Sequence, residues 1–168
     1  GCALFGAGET IRMDGATRGG TRIPQADFAV GAGTTVGDLL AFLNSELGIH
    51  SQTVPNPDGT LPGAAIDADG VISINGNTGS TSTIALDSAD LKRLDADGIL
   101  VGLPFATANV RPSSGEADRT TTVVYDSLGN EVEVTIAFTL VSKNTSGTTW
   151  RYDLFSPDNG DSGEFLGT

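Results

Sequence analysis

Residues 160–164 read GDSGE, a serine set between a carboxylate and glycines, which is a local pattern from which a nucleophilic hydroxyl can be built. The single histidine, His50, precedes Ser162, as one hydrolase chain order requires. A Ser-His pair works only when the imidazole is hydrogen-bonded to the serine and oriented by a buried carboxylate. His50 sits in GIHSQ, just past an expected helix end rather than beside an apolar strand, and Ser162 lies among Asn159, Gly160 and Gly163. Both read as loop residues, and no catalytic residue is assigned.

Two further patterns imitate binding sites. GAGTTVG at residues 31–37 follows an expected strand and opens an expected helix, where backbone N–H groups can hold a pyrophosphate. No parallel βαβ repeat follows it, so helix capping is the preferred reading, and no cofactor is expected. DADG occurs twice, in AIDADGVIS (65–73) and RLDADGILV (93–101). Counted as a calcium loop from Asp67 or Asp95, the glycine falls at position 4 instead of 6, and Thr78 or Ala106 stands where the bidentate glutamate belongs. Weak calcium binding at Asp67/Asp69 or Asp95/Asp97 stays open, but the preferred reading is a turn. There the Asp carboxylate bonds its own backbone and Gly takes positive φ. Cys2 and His50 are single, which excludes an intrachain disulfide and a zinc ligand set. Trp150 and Tyr152 alternate within a strand and read as core packing rather than as a stacking platform.

The remaining composition narrows the function classes. Nine basic against 21 acidic residues give a net charge of −12 with no Lys/Arg cluster, which argues against nucleic acid and anionic membranes as partners. No apolar run approaches the roughly 20 residues of a membrane span, and no basic-then-apolar leader opens the sequence. The chain, beginning at Gly1, is expected to be an excised soluble fragment.

The elements that would position these residues are mostly β. The 23 glycines and many Thr, Ser, Asn and Asp favour turns and short strands. Residues 9–13 and 22–30 read as two strands separated by ATRGG, with Pro24 marking an edge or strand start. One helix is expected in GTTVGDLLAFLNSELG: Val36, Leu39, Leu40, Leu43 and Leu47 fall on one face at a 3.6 period. Thr34 or Thr35 would cap its start, Gly48 its end, and Asp38 suits the positive end of its dipole. SQTVPNPDGTLPG reads as a surface loop, GVISINGN and STIAL as a second pair of strands, and SADLKRL as one or two helical turns capped by Ser88. Between residues 103 and 115 a boundary is expected. Beyond it, EVEVTIAFTL alternates through ten positions. Val132, Val134, Ile136, Phe138 and Leu140 are expected on a buried face and Glu131, Glu133, Thr135, Ala137 and Thr139 on a wet one. With TTTVVY before it and WRYDLF after it, this makes an antiparallel meander.

The turn VYDSLGN (124–130) joins the first two of those strands. Asp126 can bond the turn's backbone N–H groups, Gly129 can take the left-handed region, and Ser127 and Asn130 complete a bulged hairpin. VYDSLGN, the alternating strand after it and the following W-x-Y-x-L in WRYDLFSPD together resemble the central region of bacterial flagellar hook proteins. LFGAGETIRM, the segment from TRGG to LGI, and GVISINGNTGSTSTIAL are similar to the extra outer domain of the family's longer members.

The resemblance implies a structural subunit rather than an enzyme, an outer-domain fragment without the family's terminal helical segments. Subunits of that family are exported through the flagellar channel and stack with other copies into a curved tube, the extracellular joint between motor and filament. The expected fold is two small antiparallel β modules. Residues 1–104 would be an α+β module with the helix packed on its sheet, and 105–168 a meander or barrel-like sheet. No cofactor or metal is implied, and the fragment alone is expected to be monomeric. A secreted carbohydrate-binding or adhesion module is the alternative.

Overall fold

The computed structural model describes residues 5–49, 55–56, 59–113, 115–156 and 165–167. Cys2, His50 and the GDSGE segment with Ser162 lie outside the described residues.

The first module is built on a four-stranded antiparallel sheet of order β4-β1-β8-β9, formed by β1 (Thr10–Met13), β4 (Ala26–Ala29), β8 (Leu91–Leu94) and β9 (Leu100–Gly102). The ATRGG segment does more than separate strands. It carries the short hairpin β2 (Thr17–Arg18) and β3 (Thr21–Arg22), reversed through Gly19 and Gly20 at φ +54° and +80°. Pro24 precedes β4, which is an edge strand and so loses no ladder bond to the proline.

The expected pairing of GVISINGN with STIAL is corrected. GVISINGN gives β6 (Ile72–Asn75), but its partner is β5 (Gly63–Ile66) across the first DADG turn. STIAL gives β7 (Ile84–Ala85), which pairs with β2. SADLKRL is not a helix beyond its first turn. Ser88–Asp90 form a 3-10 turn capped by Asp87, and Leu91–Leu94 continue as β8. A strand wins here because Leu91 and Leu94 both reach the core while β8 completes the ladder to β1.

Helix α1 (Val36–Glu46) has Thr35 as its N-cap in a full capping box: the Thr35 side chain accepts from the Asp38 N–H, and Asp38 accepts from the Thr35 N–H. Gly48 follows the C-cap at φ +62°. Leu39, Leu43 and Leu47 are buried and Leu40 is half-buried, but Val36 is 49% exposed. Val36 is the first helical residue, so the apolar face is narrower at its start than the 3.6 period suggests. Ile11, Met13, Ala16, Ile23, Leu39, Leu43, Leu47, Ile49, Leu86 and Leu91 form a single hydrophobic core, with the Phe28 and Phe42 rings in contact at its margin (centroids 5.3 Å apart).

The second module is an open sheet of order β10-β11-β12-β13: β10 (Ala117–Tyr125), β11 (Glu131–Asn144), β12 (Gly147–Phe155) and β13 (Phe165–Gly167). Its first three strands form the expected meander, and none of the four sheets closes into a barrel among the described residues.

Candidate functional site

Three features of the fold bear on function: the turns, the two faces of the second sheet, and the junction between the modules.

The turns share one design. In residues 67–71, 95–99 and 126–130 the first Asp N–H donates to the carbonyl four residues on, and the Gly N–H donates back to the Asp carbonyl. One Asp Oδ1 accepts from the N–H groups two and four residues later, at 2.8–3.0 Å. Gly70, Gly98 and Gly129 all have φ between +78° and +84°. Residues 56–60 repeat the two backbone bonds with Asn56 in place of Asp. DADG, its repeat and DSLG are therefore one hairpin unit, in which the carboxylate is consumed by the turn itself. In the third copy the Asn130 side-chain amide adds a bond to Asp126 Oδ2 at 2.9 Å, and together with the backbone donors it holds the Asp126 carboxyl below its ordinary range. Ser127 sits at the exposed tip. No group of three or more His, Cys, Asp or Glu able to hold a metal occurs among the described residues.

The faces of the second sheet overturn an expectation. Strand register places Val124, Val132, Val134, Ile136, Phe138, Leu140, Trp150, Tyr152 and Leu154 on one face, with Phe138 opposite Tyr152 and Leu140 opposite Trp150. Full burial of this face is not found: Val132, Val134, Ile136 and Leu140 are half-buried, and the aromatic side chains stand further out. Phe138 is 39% exposed, Trp150 47%, Tyr152 48% and Val124 43%. The opposite face, expected to be wet, is buried along part of its length: Thr139 at 0%, Asp153 at 1% and Ala137 at 4%. The cause lies in the first module. Its 3-10 turn at Ser80–Ser82 and the β2–β3 hairpin sit over this face, and Gly79 and Gly115 let backbone approach it. A Cβ on Gly79 would stand 2.8 Å from Thr139 Oγ1, and one on Gly115 would stand 2.8 Å from Thr78 Cγ2. Trp150 and Tyr152 are thus exposed surface residues, not core.

At the junction a cleft of about 370 Å³ is lined from the first module by Arg18, Thr21, Arg22, Ile23, Pro24, Glu46 and Thr81. Arg119, Glu133, Thr135, Ala137 and Ser156 line it from the second. One backbone bond crosses nearby, from Ser80 N–H to the Gly115 carbonyl (3.3 Å), while Leu140 N–H to the Glu116 carbonyl (2.9 Å) extends the second sheet beside it. Helix α1 has no basic residue in its last turn. Arg18 supplies the cation from β2 instead, donating from Nη1 to the Leu47 carbonyl at 3.3 Å, while Asn77 donates to the Gly48 carbonyl at 2.9 Å. Burial pulls the Arg18 guanidinium down to about 10, against the opposing pull of the Asp153 carboxylate. Asp153 also lies 3.3 Å from Arg151 Nε, close enough for an ion pair although the two atoms are not aligned for a hydrogen bond. Sequence reasoning passed over Arg18 and Asp153. A faint signal was present in WRYDLF, where Arg and Asp alternate on the face opposite Trp and Tyr.

Elsewhere Arg12, Arg22, Lys92 and Arg93 are balanced by nearby carboxylates. Arg12 forks onto Asp27 (2.7 Å twice), Arg93 onto Glu9 (3.0 and 2.6 Å), and Lys92 and Arg22 share Asp14. These pairs hold Glu9, Asp14 and Asp27 below the usual carboxylate range.

Among known proteins, residues 93–166 match the family described as "Flagellar basal body protein FlaE D2 domain". The matched span begins inside β8, so it takes in the end of the first sheet as well as the whole meander. No curated protein and no solved structure matches the chain.

Proposed function

We propose that the chain is a fragment of a flagellar hook protein with a structural role and supplies subunit contacts on the outer surface of the hook, a reading supported by the match of residues 93–166 to the flagellar basal body protein FlaE D2 domain. On this reading the parent subunit polymerises with further copies into the flexible extracellular joint between motor and filament. Residues 1–104 and 105–168 act as its two modules, and neither carries catalytic residues.

The observation that carries the reading is the uncovered apolar face of β10–β12. A soluble monomer rarely leaves Phe138, Trp150 and Tyr152 together at the surface, and such a patch marks a surface that is covered in an assembly. The occupant is a neighbouring copy of the subunit. With a net charge of −12 the copies repel one another at long range, so contact depends on this mostly apolar strip, in which Asp118 opposite Phe138 carries a charge, and is weak outside the tube.

The test has two arms. Light scattering of the chain at rising concentration is expected to give the monomer mass. In the parent subunit, Trp150→Ser with Tyr152→Ser is expected to lower polymer yield well beyond what its modest loss of thermal stability, from the lost cross-strand pairs with Leu140 and Phe138, would cause. Polymerisation of the double variant at the rate and extent of the native subunit would refute this surface as the contact.

A further inference from the structure

We infer that the β2–β3 hairpin is a clasp that fixes the two modules to each other as one rigid body. Its two strands reach the second sheet at separate points. From β3, Thr21 Oγ1 accepts from Arg119 Nη1 of β10 at 3.0 Å. From β2, Arg18 projects between the C-terminal end of α1 and the buried face of β12, where Asp153 is 1% exposed.

The tip is shaped for this position. Gly19 lies so close to the Thr81 carbonyl, and Gly48 so close to the Arg18 guanidinium, that a Cβ at either would collide. The hairpin is therefore held between the 3-10 turn, the helix end and the second sheet. A guanidinium withdrawn from water is costly unless a carboxylate stands near, and Asp153, which also has Arg151 3.3 Å away on its own strand, attracts Arg18 across the junction.

Inter-domain linkers of 14 residues, such as the one from Leu103 to Glu116, ordinarily allow the joined units to move independently. The clasp acts with the Ser80–Gly115 backbone bond, the Gly79–Thr139 packing and the bonds from Thr107 and Ser113 N–H to the Ser88 and Thr83 hydroxyls to remove that freedom. On the hook reading, bending is then taken up between copies rather than within this unit; that consequence depends on the proposed function, whereas the clasp does not.

The experiment measures a distance distribution between spin labels at Val71→Cys and Leu128→Cys, one exposed loop site in each module, in a Cys2→Ser background. The native junction is expected to give a single narrow distribution. Arg18→Met is expected to broaden it about twofold or more, the scale of independent domain motion. Asp153→Asn, which leaves the helix end untouched, is expected to do the same. Leu43→Ala serves as the control: it weakens the first core, so the distribution should stay narrow below its melting temperature. Should Arg18→Met fail to fold, Asp153→Asn decides the matter alone. An unchanged narrow distribution in Asp153→Asn overturns the clasp, as does equal broadening in Leu43→Ala.

Discussion

Gly79→Ala tests how tightly the modules meet, because two separable penalties fall on one methyl group. Gly79 has φ +105° and ψ 139°, a region that residues with a Cβ rarely occupy, and holding one there costs about 1–3 kcal/mol. The new Cβ would also stand 2.8 Å from Thr139 Oγ1, 3.0 Å from Thr139 Cγ2 and 3.0 Å from Ala117 Cβ. Thr139 is fully buried in the middle of β11, with ladder partners on both sides, so it has nowhere to retreat. Overpacking of this kind costs about 1–3 kcal/mol. The sum is about 2–6 kcal/mol, which for a chain of 168 residues lowers the melting temperature by at least about 4–8 °C. Gly129→Ala isolates the backbone penalty: its φ is +83°, and nothing lies within 4 Å of the added Cβ. It should cost only about 1 kcal/mol, or about 2–4 °C. Differential scanning calorimetry of both variants measures the difference. A shift for Gly79→Ala no larger than that for Gly129→Ala would mean that Gly79 and Thr139 are not packed against each other, and the buried identity of this face would fall with it.

Two further outcomes follow from the same structure. Thr35→Ala removes the N-cap of α1 and should cost about 1 kcal/mol, read as a lower urea midpoint; no change would show that the capping box is not formed. On acidification, the carboxyls of Glu9, Asp14, Asp27, Asp38 and Asp126 all have folded values below the ordinary 3.8–4.5. Their contribution is therefore complete above those ordinary values and is lost as pH falls through the lower folded ones. The melting temperature should be flat from neutral pH to about 5 and decline below about 4. A decline beginning near pH 6 would implicate a different group.

Much of the local structure was legible in the sequence, because its causes are local. The D-x-x-G turns need only one carboxylate able to reach two N–H groups and one glycine at positive φ, and both requirements are written within five residues. The helix announces itself through the Thr35–Asp38 box, the leucine spacing and Gly48. The failures are non-local. STIAL and GVISINGN alternate alike, yet their partners, β2 and β5, are chosen by what the folded first module brings alongside. SADLKRL has helix-compatible residues, but the open edge of β1 takes Leu91–Leu94 as a strand.

The sequence by itself determined where the chain turns, which segment is helical and that β11 has two chemically distinct faces. Only the tertiary structure decided which of those faces is inside. A period of two divides Phe138, Trp150 and Tyr152 from Ala137, Thr139 and Asp153, but burial depends on what can approach each side. The small Ala137 and Thr139, met by the side-chain-free Gly79, allow the first module to come within van der Waals distance and exclude water from that side. The aromatic side is left outward, its apolar area turned from core into surface.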